Sequence, residues 1–386
     1  MPWRMSDVKE ERLRFVALAS RKRHSMTELC REFGISRPTG YEWLARYKAG
    51  GSAAVLEQRS SRPHDSPQRT DAAREQILVE LRKQRPDWGA RKLVKGFLGG
   101  NAGVCPAPST VHRILLRNGL VAPEDRHRPA VTRYERSRPN ELWQIDFKGP
   151  QEPGWHVGPL SMLDDYSRYL VTLRQLSTNT RAEGVRACLR ETFEKAGMPE
   201  EMLMDHGTPW WNAHGGWGWT ELTVWLMRQG IRLHFSGIRH PQTQGKVERM
   251  HRTLKTATRK RGESVHEPEW LERFRNEYNQ VRPHEALQMQ TPASRWTPSQ
   301  RRFQSAPREW EYPASSTVIR LGGQGQLRWR GQRWEISRAL HHQNVGIELI
   351  GDHAVVYFCS TPLKQLDPKT RTTQNLPTHP FSITVD

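Results

Sequence analysis

The sequence predicts a multidomain chain: N-terminal all-α units, a central α/β domain whose mixed sheet is flanked by helices, and a small C-terminal β-barrel. Three observations predict it. At 386 residues the chain exceeds the usual size of one hydrophobic core. Helical periodicity dominates its beginning, strand and helix signals alternate through its middle, and short strands with glycine turns follow.

Residues 1–50 read as a helix-turn-helix. In "SMTELCREFGISRPTGYEWLARY", Leu29 and Phe33 stand four apart, Gly34 breaks the helix, and Ser36 opens the next segment. This second helix is expected to present Arg37, Thr39, Gly40 and Glu42 outward as a major-groove reader, with Tyr41, Leu44 and Tyr47 inward. An ordinary three-helix bundle is the alternative. Residues 51–70, rich in Pro, Arg and small side chains, read as a linker. Residues 71–120 form a second helix-turn-helix-like unit from "DAAREQILVELRKQ", "DWGARKLVKGFL" and "APSTVHRILLRNGL", the last capped at Ser109. Residues 121–139 are a basic linker.

From 140 to 290, "LWQIDFK", "LSMLDDYSRYLVTLRQL", "EMLMD" and "IRLHF" read as strands. Helical patterns occupy "TRAEGVRACLRETFEKAG", "WTELTVWLMRQG" and the stretch from Gln244. Residues 291–315 are expected to be a linker. Residues 316–365, with turn signals at Gly322-Gly323 and Arg330-Gly331, predict the barrel, and 366–386 a loose tail. Arg328, Arg330 and Arg333 suit the barrel to phosphate contact, although a barrel for protein association fits equally well.

With 60 Lys plus Arg against 41 Asp plus Glu, the net charge is +19, which points to a polyanionic partner, nucleic acid first. A mean hydropathy of −0.81 and no long apolar run exclude a spanning helix. Cys30, Cys105, Cys188 and Cys359 form no C-x-x-C pair, so neither a zinc module nor a disulfide framework is expected. The expected compartment is a reducing cytoplasm, with no membrane partner.

Three acids stand out. In "LWQIDFK", Trp143, Ile145 and Phe147 take one face of a strand and leave Gln144 and Asp146 on the other. A carboxylate there needs a cation or an open sheet surface. Asp205 ends the run "EMLMD", where a strand delivers residues to a loop, although such an Asp is more often a cap or turn residue. Glu248 is the one acid in "HPQTQGKVERMHRTLK", on the shoulder of a stripe made by Val247, Met250 and Leu254. An exposed ion pair with Arg252 is the competing reading, worth only about 0.3–0.5 kcal/mol.

The blocks "WQIDFKG", "LDDYSRY", "MDHGTP", "HPQTQGKVERMHRTLK" and "YNQVRPHEALQMQTPA", in this order, resemble the catalytic core shared by retroviral integrases and bacterial insertion-sequence DDE transposases. The resemblance implies an RNase H-like fold for residues 140–290. It also implies that Asp146, Asp205 and Glu248 are the catalytic triad and hold two Mg²⁺ ions, with Mn²⁺ able to substitute. His240, Lys246 and Lys255 are the neighbouring candidates for DNA contact. The activity implied is a DNA transposase that binds the element's terminal inverted repeats, cleaves a strand and transfers it to target DNA. No nucleotide cofactor is expected, and a homo-oligomer is expected on double-stranded DNA. A transposase-derived, non-catalytic DNA-binding regulator is the alternative. The resemblance gives Asp164 and Asp165 a structural role. His206 and the Gly- and Trp-rich stretch after it depart from the family pattern, and the last two acids stand further apart than in retroviral integrases.

Overall fold

The computed structural model describes residues 8–57, 69–100, 105–121, 135–149, 157–176, 182–212, 218–236, 244–307 and 309–376. The chain divides into two compact units, Met1–Arg69 and Thr70–Asp386.

The first unit holds α1 (Val8–Ser20), α2 (Met26–Glu32) and α3 (Arg37–Leu56). Ser25 and Glu28 form a reciprocal capping box on α2, and Ser36 caps α3 just ahead of Pro38. Phe15, Val16, Leu29, Phe33, Ile35 and Trp43 make the core. Two expectations for α3 are corrected. Gly40 faces inward, where a Cβ would lie 2.6 Å from Cys30 Sγ, and Tyr41 faces solvent at 58% exposure. The inward stripe runs Gly40, Trp43, Leu44, Tyr47, so Leu44 and Tyr47 pack inward as expected and only Gly40 and Tyr41 exchange sides. The expected linker at 51–70 also begins late. Gly50 and Gly51 break the helix, yet it resumes to Leu56 and buries Val55.

The second unit opens with α4 (Ala72–Gln84), α5 (Ala90–Gly100) and α6 (Pro108–Arg117) around Leu78, Trp88, Leu93, Phe97, Val111 and Ile114. Ala107, not Ser109, occupies the cap position of α6, with Pro108 in the first turn. This helical bundle is fastened to the domain that follows through Asp87, whose side chain is buried against the guanidinium groups of Arg261 (2.8 Å) and Arg282. Arg261 also pairs with Glu277 at 2.7 Å.

The central domain is a five-stranded mixed sheet of β1 (Leu142–Phe147), β2 (Leu160–Asp164), β3 (Leu170–Arg174), β4 (Glu201–Met204) and β7 (Arg232–Phe235), in the order β3-β2-β1-β4-β7. β1, β2 and β3 pair antiparallel, whereas β1, β4 and β7 run parallel. Between β4 and β7 lie the short pair β5 (Trp211–Asn212) and β6 (Gly218–Trp219). One face of the sheet packs on α7 (Ala182–Ala196) and α8 (Glu221–Arg228), and the other on α9 (Gly245–Arg261) and α10 (Pro268–Asn276). Such a sheet buries both faces, which explains why β2 is apolar throughout except for Ser161 and Asp164. Beyond α10, Asn279 clips the end of β3 by bonding both the N–H (2.8 Å) and the carbonyl (2.9 Å) of Leu170.

Residues 291–307 are not the expected linker. Trp296 stacks on Tyr169 at 4.0 Å and donates to Asn140 Oδ1. Arg301 donates to the carbonyls of Pro199 and Gly230, and Phe303 lies against Phe193 and Trp225. The C-terminal region is sheet-rich, but no barrel closes among the described residues. β8 (Thr317–Arg320), β11 (Asn344–Ile350), β12 (His353–Phe358), β13 (Thr361–Asp367) and β14 (Thr372–Asn375) form an open antiparallel sheet, and β9 (Gln326–Trp329) pairs only with β10 (Gln332–Glu335). The expected tail at 366 is shorter than predicted, since Leu366 is buried and β14 extends the sheet to Asn375.

Candidate active site

β1 is the central strand, and its pairing with β4 brings two of the three acids together. Trp143 pairs with Met202 and Gln144 with Leu203. Continuing this parallel register by two residues sets Asp146 beside Asp205, both at the strands' C-terminal ends, where such sheets present ligands. α9 packs across β1 and β2 with Val247, Met250 and Leu254 buried, which turns Glu248 to the exposed flank. Among the described residues Glu248 forms no ion pair with Arg252 or any other cation.

Electrostatics link the three. The Asp146 carboxyl is pushed up to about 7 by burial and by the negative charges of Asp205 and Glu248, against a hydrogen bond from the Phe147 N–H. Burial with added repulsion from two carboxylates is the pattern of an acidic cluster. All three donors are carboxylate oxygens, the chemistry suited to a hard divalent ion. As the side chains stand, no three His, Cys, Asp or Glu among the described residues close on one point, and the Glu248 carboxylate is exposed.

Each acid has its own support. Gly207 N donates to Asp205 Oδ1 at 3.0 Å, and a Cβ on Gly207 would come within 2.9 Å of Asp205 Oδ2. Behind them His206 sits edge-on to Trp211 and against Phe235, each with centroids 5.1 Å away, and Trp210 lies against Phe147. Burial holds the His206 imidazole below its usual range. The Trp-rich stretch therefore builds an aromatic wall behind Asp205. Beside Asp146, His251 places Nδ1 3.7 Å from Asp146 Oδ2 and Nε2 2.6 Å from Ser161 Oγ. Burial and the nearby Lys148 push this imidazole down to about 3, so the contact with Asp146 is made by a neutral ring and not by an ion pair.

Lys246 is placed differently from its expected DNA-contact role. Its amine pairs with Asp165 Oδ2 at 2.5 Å. Asp165 Oδ1 accepts from Gln144 Nε2 at 2.9 Å, and Gln144 Oε1 accepts from Val247 N at 3.3 Å. The first turn of α9, which carries Glu248, is thus tied to the sheet at two points. Asp164 serves the same frame, accepting from Asn140 N and Ser167 N at 2.7 Å each. Sequence reasoning missed Gln144, Gly207, Ser161 and His251 as parts of the site. The signal for Gln144 was present, because it shares the face of β1 that bears Asp146.

Of the remaining candidates, Lys255 is exposed on α9 and His240 lies outside the described residues. Arg37 is exposed at the start of α3, Thr39 bonds Ser36 through its hydroxyl, and Glu42 pairs with Arg46 at 2.6 Å. Gly40 offers no surface.

Comparison with known families places an integrase core domain at residues 136–241 and again at 229–292. A helix-turn-helix domain matches residues 11–64, and a homeodomain-like domain matches residues 39–115. Among solved structures, the intasome of simian T-cell lymphotropic virus, in complex with a PP2A regulatory subunit, is 14% identical. It covers 78% of this chain and 96% of its own, at a TM-score of 0.37. The HTLV-2 integrase catalytic core domain in complex with magnesium is 15% identical over 41% of this chain and 97% of its own, at a TM-score of 0.32. Among the described residues no helix is long and apolar enough to cross a membrane.

Proposed function

This chain has the domain composition of an insertion-sequence transposase with an integrase-like core, and we propose that it cleaves DNA strands at the ends of a mobile element and joins them to target DNA. The observation that carries the proposal is the β1/β4 register, which sets Asp146 beside Asp205, supported by the charges of Asp205 and Glu248 that add to burial in raising the Asp146 carboxyl. In this reading the three carboxylates hold divalent metal, Mg²⁺ by their donor chemistry and two ions by the needs of the reaction, with Mn²⁺ as a substitute. When bound, the metal supplies activation of the attacking oxygen and stabilisation of the leaving one.

The reaction needs two displacements at phosphorus. In the first, water oxygen bonds to phosphorus and the P–O3′ bond breaks, leaving a 3′-OH. In the second, that 3′ oxygen bonds to a target phosphorus and the target's P–O3′ bond breaks, so one phosphodiester replaces another and no nucleotide is consumed. The chain's own residues orient these steps. Gly207 N fixes Asp205, His251 stands against Asp146, and the Asp165, Gln144 and Lys246 contacts hold the turn bearing Glu248. Arg37 and Thr39 of α3 are the candidates for reading the terminal inverted repeats, and Lys255 for holding backbone near the acids. Joining two ends calls for at least two copies of the chain on the DNA.

The test is a mobility assay in which a marker flanked by the DNA bordering this gene is supplied with wild-type chain or Glu248→Gln, and insertions are sequenced. Defined insertions with the wild type alone are expected. Equal insertion by both would remove Glu248 from the mechanism. End binding without insertion by either would favour a DNA-binding regulator.

A further inference from the structure

α6 gives one face to its bundle and leaves the other uncovered. Val111, Ile114 and Leu115 enter the core with Trp88 and Leu93. On the opposite side Ser109, His112, Arg113 and Leu116, spaced three and four residues apart, form a single exposed stripe. Ser109 is not used as a cap, because Ala107 holds that position. Among the described residues His112 has no polar partner, and Arg113 makes one long hydrogen bond, to Thr110 Oγ1 at 3.5 Å, and no ion pair. Leu116 is 58% exposed. Arg117, off the stripe, is instead paired with Glu75. A lone exposed leucine is ordinary, but a hydroxyl, an imidazole, a guanidinium and an isobutyl group in one row suit the edges of base pairs in a major groove. Homeodomains lay the third helix of a three-helix bundle in that groove, and the homeodomain-like match ends inside α6, at residue 115.

The bundle that carries this stripe is fixed to the catalytic domain. Trp88, buried in the bundle core, is preceded by Asp87, whose side chain is 1% exposed and lies between Arg261, the last residue of α9, and Arg282. Arg261 is bidentate to Glu277, at 2.7 and 2.8 Å, a pairing that fixes geometry as well as energy. Arg85 and Arg91 of the bundle reach Glu277 and Glu285 at 3.9 and 3.6 Å. α9 bears Glu248 in its first turn and Arg261 at its end, about 20 Å away at the helical rise. One straight element therefore joins the acids to the mount of α6.

We propose that α6 is a second DNA-reading helix, taking base edges of the element end through Ser109, His112, Arg113 and Leu116. Its fixed mount on α9 makes it the ruler that brings one chosen phosphate to the acids. The inference rests on the reading of the core as a strand-cleaving site and adds what selects the bond to be cut. The cut lies a constant number of base pairs from the sequence under α6, whatever bases stand at the cut itself.

The experiment uses the full-length chain, Mg²⁺ and a labelled duplex of the element end, with cut positions mapped to the nucleotide. A base-pair substitution scan first compares wild type with Arg113→Ala. One position, a G·C pair by the chemistry of arginine, should cost the wild type about tenfold in affinity when changed and leave Arg113→Ala indifferent, with the melting temperature unaltered. Two base pairs are then inserted between that position and the cut. The wild type should cut at the original distance from the α6 position, so that the cut moves by two nucleotides along the sequence. Cutting that stays at the original sequence, or that is lost while binding persists, would overturn the ruler. An Arg113→Ala chain that keeps the wild-type pattern of base preference, whether its affinity is whole or uniformly lowered, would overturn α6 as a reader. A wild-type chain that binds the unaltered duplex and never cuts it would overturn the cleavage reading and the ruler together.

Discussion

Gln144, in the middle of the central strand, holds Asp165 with its amide nitrogen and the backbone N–H of Val247 with its amide oxygen, at 2.9 and 3.3 Å. One buried amide thus connects the turn after β2 to the first turn of the helix that carries Glu248. Replacing Gln144 by Leu keeps the volume and removes both bonds. We expect strand cleavage to fall about 10²-fold, the scale of a small misplacement of a reacting group, with affinity for duplex unchanged. Equal losses in binding and cleavage, in a gel-shift and cleavage assay run side by side, would assign Gln144 to general stability instead.

Gly207 is packed against the carboxylate it supports. A Gly207→Ala side chain would press on Asp205 Oδ2 from 2.9 Å and turn it away from Asp146. Cleavage should drop by a similar factor while the melting temperature shifts little. Wild-type cleavage by this variant would show that Asp205 tolerates displacement.

Asp87 gives the docked helical unit an acid-sensitive fastening. Burial raises its carboxyl, but Arg282 and Arg261 outweigh burial and hold it below the usual carboxylate range. The folded value is depressed, so its contribution is fully present above the unfolded value of about 3.9 and is lost as pH falls through the folded value. Asp87→Asn should therefore cost about 3–5 kcal/mol at neutral pH and narrow its deficit against wild type only in strong acid. Denaturant unfolding across a pH series measures this; a deficit independent of pH would disprove the linkage.

In the first unit, Gly40→Ala forces a methyl against Cys30 and Phe15 and should destabilise by about 1–3 kcal/mol. Arg37→Ala, at an exposed position, should change stability by less than about 0.5 kcal/mol yet weaken binding to element ends. Calorimetry separates the two, and an Arg37→Ala chain with full end affinity would remove α3 from the role of reader.

Much of this was legible in the sequence because it depends on local pattern. The alternation in "LWQIDFK" marked β1 and the face of Asp146, and the stripe through Val247, Met250 and Leu254 marked α9. What stayed hidden depends on pairing between distant segments. Lys246 reads as a free cation until β2 brings Asp165 to it, and His251 as one more basic residue until Ser161 and Asp146 close around it. Gly40 and Tyr41 of α3 were put on the wrong sides because the small Gly40 marks close helix packing as readily as an open surface. The open C-terminal sheet was read as a barrel because its strand lengths and turns suit either, and only strand order separates them.

The segment carrying Trp296, Arg301 and Phe303 has a practical consequence for anyone who trims the gene. The integrase core match ends at residue 292, and a fragment cut there would discard the side chains that occupy Asn140, the carbonyls of Pro199 and Gly230, and the outer surface of Phe193. Such a fragment would expose an apolar patch and leave polar groups bare at the back of the sheet, a recipe for insolubility. A piece of this domain that keeps these contacts has to run on past Phe303.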